Sequence, residues 1–463
     1  MQQNVILHLG LGSFHRAHQA VYLDALIARG DTSWAIVGAN LRNDLAETMI
    51  ALIAQRGEYT LETVTPAGVR AYRRIRAIRE VLPFDASLAA VIEVGARPAT
   101  RIIAFTVTEA GYYLDPQNRL DLAFADIAGD LAGRSTVTIY GAIAAILAER
   151  RARNAGPVTL LNCDNLRSNG ERFRAGLLDF LARRNDTTLT EWVSVNTTCP
   201  NAMVDRITPR PPADLAARVL AATGWADRAP VMAEDFIQWV IEDRFANGRP
   251  AWETVGAEMV DSVHAHEEAK IRILNATHSC FAWAGSMIGL RYIHEDVAVA
   301  WIRRIAFDYV TDDVIPCLDS PAHPSPMDLA RYRDVVIERF GNPHLQDTNQ
   351  RVAMDGFSKI PGFIAPTIRE RIAAGASFAS TARLPALFFE FLRCWQAGGI
   401  GFEYHDQAMD PAAVRAWFDA PDPIAAFCGD GVLWGALAGS DTLTTALRTA
   451  HAEVLTFIHQ GSP

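Results

Sequence analysis

Val5-Ile6-Leu7-His8-Leu9-Gly10-Leu11-Gly12-Ser13-Phe14-His15-Arg16 stands at the start of a 463-residue chain and decides how the rest is read. A short apolar run of strand type leads straight into Gly10-Leu11-Gly12. Apolar residues then recur at helical spacing through 17–28. Glycines permit a tight turn and let the backbone approach a pyrophosphate, which rests on the N-terminus of the following helix. His15 replaces the third glycine of a full G-x-G-x-x-G. Gly10, Gly12, Ser13 and Phe14 are the candidate cofactor-binding turn, and His15 and Arg16 are expected to add cationic contacts to the phosphates.

Working outward, further buried-strand candidates occupy 34–39, 102–107, 158–161 and 192–196. Helical stretches such as 140–153 and 172–184 lie between them. Strands alternating with helices predict a mostly parallel sheet covered on both faces. From about residue 267, helix-period segments take over: 269–289, 297–310, 327–340, 364–373 and 385–396, punctuated by proline and glycine. The expectation is an α/β chain. A Rossmann-type doubly wound sheet spans 1–258 and a second, mainly α-helical domain spans 259–463, with the boundary in the strand-like piece at 255–260.

Asn43-Asp44 follows the second strand. An acidic residue there accepts hydrogen bonds from the ribose hydroxyls of NAD and repels the extra phosphate of NADP. Arg42 beside it favours the opposite choice. The balance is read as NAD.

Charge and composition exclude several classes. The formal net charge is −10, and there is no basic stripe for nucleic acid. No apolar run is long enough to span a bilayer. The N-terminus lacks a signal-type segment, so a cytoplasmic protein is expected. Six scattered cysteines, without a C-x-x-C pair, predict free thiols and no metal site.

Lysine usage says more. The chain has two lysines, Lys270 and Lys359, against 41 arginines. Arginine stays protonated, whereas lysine can give up its proton in a suitable site. A lysine kept against such a bias is a candidate for titration chemistry, although chance retention also explains a single case.

Lys270 opens the helical stretch Lys270-Ile271-Arg272-Ile273-Leu274-Asn275-Ala276-Thr277-His278. At about 100° per residue in an α-helix, Asn275 falls roughly 140° and His278 roughly 80° from Lys270. An amine, an amide and an imidazole within one arc suit the oxidation of an alcohol. The amine removes the hydroxyl proton, the amide donates to the oxygen, and the imidazole fixes the substrate. A solvated polar stripe is the plain alternative. Neither lysine has a tyrosine four residues before it, since His266 and Asp355 stand there. No glycine-rich loop precedes a Lys-Ser or Lys-Thr pair.

Several motifs together resemble the polyol-specific long-chain dehydrogenases, a family that includes mannitol, arabinitol, fructuronate and tagaturonate enzymes. They are the turn 10–18, Thr106-Val107-Thr108-Glu109-Ala110-Gly111-Tyr112, Asn162-Cys163-Asp164-Asn165, and Asn201-Ala202-Met203-Val204-Asp205-Arg206-Ile207-Thr208-Pro209. The K-x4-N-x2-H of 270–278 and Asp355-Gly356-Phe357-Ser358-Lys359-Ile360-Pro361 complete the set. Thr197-Thr198-Cys199-Pro200-Asn201 and Asp347-Thr348-Asn349-Gln350-Arg351 are most like its arabinitol-oxidising members.

The resemblance implies a zinc-independent, NAD-dependent oxidation of D-arabinitol to D-xylulose by a cytoplasmic monomer. It implies Lys270 as general base, with Asn275 and His278 on the reacting oxygen. Asn165, Asp205, Arg351 and Lys359 are implied to contact the polyol, Glu267 to relay the proton, and Thr108 and Glu109 to contact the cofactor. Some mannitol enzymes of the family carry histidine at the position of Met354, and methionine cannot make that hydrogen bond.

Alternatives stay open at this level. Asp205 also reads as an ion-pair partner of Arg206, Asn165 as a turn residue and Lys359 as a loop cation. In place of Glu267 as the relay, Glu268 or plain solvation is the alternative. Mannitol oxidation, a fructuronate or tagaturonate reductase, and a protein that binds NAD without chemistry are the competing functions.

Overall fold

The computed structural model describes residues 3–115 and 119–461. It divides into two compact units. The first holds the chain up to Thr65 together with Val69–His264, and the second holds Pro66–Gly68 and the chain from Ala265 onward.

The strands are β1 Asn4–Leu9, β2 Trp34–Ala39, β3 Tyr59–Val64, β4 Arg70–Ile75, β5 Ile78–Val81, β6 Thr100–Phe105, β7 Val158–Asn162, β8 Thr197–Thr198, β9 Ala202–Asp205, β10 Val231–Glu234, β11 Gln238–Glu242 and β12 Glu258–Val260. Six of them form a parallel sheet in the order β5-β2-β1-β6-β7-β8. Numbered among themselves they run 3-2-1-4-5-6. This is the doubly wound order, and its direction reverses between β1 and β6. Two three-stranded sheets, β10-β3-β4 and β12-β11-β9, complete the first unit.

Strand periodicity explains why both faces are covered. Successive side chains point to opposite faces of a sheet. Ile6, Ile36, Ile102 and Ala104 lie in one buried cluster. Their chain neighbours Leu7, Val37, Ile103 and Phe105 lie in another. Each fully buried side chain of this size contributes roughly 1.5–3 kcal/mol, so continuous apolar runs are what this sheet needs.

The stretch 192–196, expected as a strand, is helical within Thr187–Asn196. Asp186 caps this helix by accepting from Leu189 N, and Leu189 and Val193 form its buried face. A strand would have placed Val193 and Val195 on one face, yet Val195 is 84% exposed. The helix expected over 17–28 is two pieces, Ser13–Ala17 and Gln19–Ala28, broken at His18 with φ −125° and ψ −88°.

The second unit is helical. The helix expected from 385 starts earlier, as Ala379–Gln396, with Pro385 inside it. Among the described residues, three long helical stretches contain a π-helical turn: Lys270–Asn275, Tyr309–Val314 and Ile360–Ile364. The first packs against the other two. Such turns are uncommon and concentrate at functional sites.

Candidate active site

The first unit builds a nucleotide-type turn at the carboxyl ends of β1, β2 and β6. Gly10 has φ +105°, and a Cβ there would lie 2.2 Å from Thr106 O. Only glycine lets β1 run this close to the chain leaving β6. The two segments are tied by Thr106 Oγ1, which donates to Gly10 O at 2.9 Å. Leu11 N donates to Asn40 Oδ1 at 2.7 Å, and Leu11 packs where a side chain on Gly38 would sit. Gly12, by contrast, has no atom within 4 Å of its Cβ position. The turn is therefore held from below and open at Gly12, with Ser13 and Phe14 half-buried beside it. That fits a dinucleotide pyrophosphate approaching the backbone.

Past β2, Asn43 and Asp44 are exposed. Arg42 is turned away to Asp126 Oδ2 at 2.5 Å and Tyr113 OH at 2.6 Å.

His15 and Arg16 are not the cationic phosphate contacts expected. Both are buried. Arg16 Nη1 donates to Ala229 O at 2.5 Å. His15 stacks on His8 at 3.4 Å between ring centres, and burial, reinforced by His8, holds it well below the ordinary imidazole range and therefore neutral. Its Nδ1 lies 3.3 Å from Gln19 Oε1, Gln19 Nε2 lies 3.1 Å from His18 Nδ1, and His18 Nε2 lies 2.8 Å from Gln238 O. These polar residues stitch the helix start to the unit's core.

The loop after β6 contains a strained residue. Thr108 has φ +66° and ψ 165°, a region suited to glycine, which costs of order 1–3 kcal/mol. Asp164 holds it: Val107 N and Thr108 N donate to Asp164 Oδ1 at 2.9 Å each, and Tyr112 OH donates to Oδ2 at 3.0 Å. Burial raises the Asp164 carboxyl to about 6, against the pull of these donors. The Glu109 side chain lies outside the described ones. Asn165 is exposed just past β7, and Asp205 is buried at the end of β9. Arg206 gives its guanidinium to Glu234 O at 2.7 Å and Ala17 O at 2.6 Å.

In the second unit, Lys270 begins the π turn and is 7% exposed. Hydrogen bonds in such a turn run between residues five apart. Asn275, five residues on, therefore returns towards the face of Lys270, where α geometry would put it roughly 140° away. No glycine or proline lies within Lys270–Asn275, and nothing local explains the wide turn. His278 follows on the α-helix Ala276–Met287. Glu267 and Glu268 are both buried in His264–Ala269. Glu268 is engaged by Arg272 at 2.8 Å, and Arg272 also binds Glu370 through two hydrogen bonds at 2.7 and 2.6 Å.

His278 stacks on Phe340, and its Nε2 lies 3.2 Å from Asp347 Oδ2. Asp347 takes two hydrogen bonds from Arg351, at 2.7 and 2.5 Å. Lys359 Nζ donates to Val352 O at 2.5 Å from the end of the helix Gly356–Lys359. Met354 Sδ accepts from His405 N at 3.1 Å. The second unit thus gathers Lys270, Asn275 and His278 on one helical stretch, and places Arg351 and Lys359 on neighbouring segments.

Asp164 and Asp347 escaped the sequence reading as organising acids. Each stood inside a quoted motif, but its hydrogen-bond partners are set by the fold. Among the described residues, no group of three or more His, Cys, Asp or Glu is placed to hold a metal ion. None of the described helices is long and apolar enough to cross a membrane.

Residues 4–254 match the mannitol dehydrogenase Rossmann domain and residues 262–455 the mannitol dehydrogenase C-terminal domain. The chain belongs to the mannitol dehydrogenase family. Within that family it is 61% identical to D-arabinitol 4-dehydrogenase of Ralstonia nicotianae, over 97% of this chain and 96% of the relative. It is 53% identical to D-arabinitol 4-dehydrogenase of Klebsiella pneumoniae, over 98% of each. Among solved structures, Pseudomonas fluorescens mannitol 2-dehydrogenase in ternary complex with NAD and D-mannitol matches with a TM-score of 0.84 and 32% identity. That match covers 99% of this chain and 94% of the other.

Proposed function

We propose that this chain oxidises a secondary alcohol of a sugar alcohol to a ketose with NAD⁺, and that D-arabinitol giving D-xylulose is the reaction. Near-full-length identity to two D-arabinitol 4-dehydrogenases supports the substrate. The single observation that carries the chemistry is the buried Lys270 at the head of a π turn that ends on Asn275.

Bound NAD⁺ supplies the acceptor for the hydrogen and electron pair leaving the carbinol carbon. Gly10, Gly12, Ser13 and Phe14 would receive its pyrophosphate, Asn43 and Asp44 its ribose, and Thr108 and Glu109 would flank it. Lys270, as the neutral amine, takes the hydroxyl proton as the carbonyl forms. Asn275 donates to the oxygen while negative charge develops there. His278, close to Asp347, orients the same group. Asn165, Asp205, Arg351 and Lys359 contact the remaining hydroxyls, and Glu267 passes the proton from Lys270 to solvent. The same reading has the enzyme working as a monomer in the cytosol.

The test pairs a substrate panel with one variant. D-arabinitol and D-mannitol are assayed with NAD⁺ and NADP⁺, and fructuronate with NADH and NADPH, and D-arabinitol with NAD⁺ is expected to give the highest kcat/KM. Lys270→Ala is expected to lower kcat by about 10²–10⁴-fold while NADH binding persists. Near-normal D-arabinitol oxidation by that variant would end the assignment.

A further inference from the structure

The stretch 162–165 holds a buried acid that the proposed reaction does not use. Asp164 is fixed on every side. Its own N donates to Asn162 Oδ1 at 2.7 Å, and its carbonyl accepts from Asn169 Nδ2 at 3.0 Å and Leu166 N at 2.9 Å. Thus anchored, the carboxylate takes the two successive amides of Val107 and Thr108 and the hydroxyl of Tyr112. Thr108, a β-branched residue at φ +66°, has the conformation that most needs such a hold. A charged acceptor grips backbone N–H groups more firmly than a neutral one. The loop it shapes leaves β6 where the strand order reverses, the place at which doubly wound sheets receive their ligand.

We infer that Asp164 is a positioning residue for the dinucleotide. By clamping the Val107–Thr108 peptide it keeps the loop after β6 in the strained shape against which the cofactor docks. It sets cofactor affinity without touching the polyol. The inference rests on the cofactor reading above and goes beyond it by assigning this acid.

The experiment titrates NADH into the full-length protein and follows its fluorescence. The proteins compared are wild type, Asp164→Ala, Thr108→Gly and the double variant. Asp164→Ala is expected to weaken NADH binding by about tenfold or more and to leave KM for D-arabinitol at saturating NAD⁺ unchanged. Adding Thr108→Gly is expected to return most of the affinity, because glycine adopts the positive φ without a clamp. An acid that serves only stability would lower the melting temperature and leave NADH affinity alone, and that result overturns the inference. So does a folded double variant as weak as Asp164→Ala. If Asp164→Ala fails to fold, Asp164→Asn, which keeps one acceptor of the same shape, is expected to weaken NADH by a smaller factor; unchanged binding overturns the inference. A wild-type protein that binds no NADH overturns the cofactor reading itself and this inference with it.

Discussion

Nε2 of His278 lies 3.2 Å from Oδ2 of Asp347, and the same carboxylate accepts two hydrogen bonds from Arg351. An imidazole and a guanidinium proposed to meet the polyol therefore face one acid. Burial opposes ionisation of Asp347, but His278 and Arg351 outweigh it and hold the carboxyl well below its ordinary range. His278 is pushed below its usual value by burial, with Asp347 pulling the other way.

Removing that acid should loosen both partners. Asp347→Ala is expected to raise KM for D-arabinitol by about tenfold or more, the worth of a charge-assisted hydrogen bond, with NADH affinity unchanged. Steady-state kinetics beside an NADH titration check this. An unaltered KM removes Asp347 from the site.

Asn275 should act on turnover more than on binding, because its hydrogen bond gains strength as charge builds on the oxygen. Asn275→Ala is expected to lower kcat by about 10²-fold with a smaller change in KM. A variant with raised KM and normal kcat would show that Asn275 contributes uniform binding instead.

Cofactor choice should turn on the loop after β2. Arg42 is already engaged by Asp126 and Tyr113, and Asp44 is the group proposed to meet a ribose. Asp44→Ala is expected to shift the NAD⁺/NADP⁺ ratio of kcat/KM towards NADP⁺ by about tenfold. An unmoved ratio places the determinant elsewhere.

Asp296 offers a test of stability against pH. It is fully buried, Asn349 Nδ2 donates to it at 3.0 Å, and a Cβ on Gly285 would collide with it. Burial raises its carboxyl to about 8, although Asn349 pulls it down. The unfolded chain releases this proton near the ordinary 3.8. Between those values the folded state binds more protons than the unfolded state, so this group's contribution to stability falls as pH rises. Asp296→Asn removes the dependence. Relative to wild type, the variant is expected to melt at a higher temperature at pH 9 than the comparison at pH 5 predicts. Parallel melting curves at both pH values, the lower inside the titration window and the higher roughly one unit above it, would contradict it.

Much of the fold was legible because periodicity encodes it. Ile6 and Leu7, or Ile102 and Ile103, alternate between two buried faces, and only a sheet covered on both sides asks for that. The stretch 192–196 misled because its β-branched residues suit a strand, while a cap at Asp186 and the Leu189/Val193 spacing select a helix. The roles of His15 and Arg16 were misread because residue type reports charge, whereas burial against His8 and the Ala229 carbonyl decides what the groups can do.

The amino-acid order by itself determined the nucleotide turn, the alternation that builds the sheet and the one lysine flanked by Asn275 and His278, since each depends on neighbours along the chain. Only the tertiary structure decided that 270–275 is a π turn, that Asp347 joins His278 to Arg351 and that Asp164 clamps Thr108. Those features depend on groups distant in sequence, or on packing that imposes a helical pitch no local residue demands. Local spacing carries information about neither.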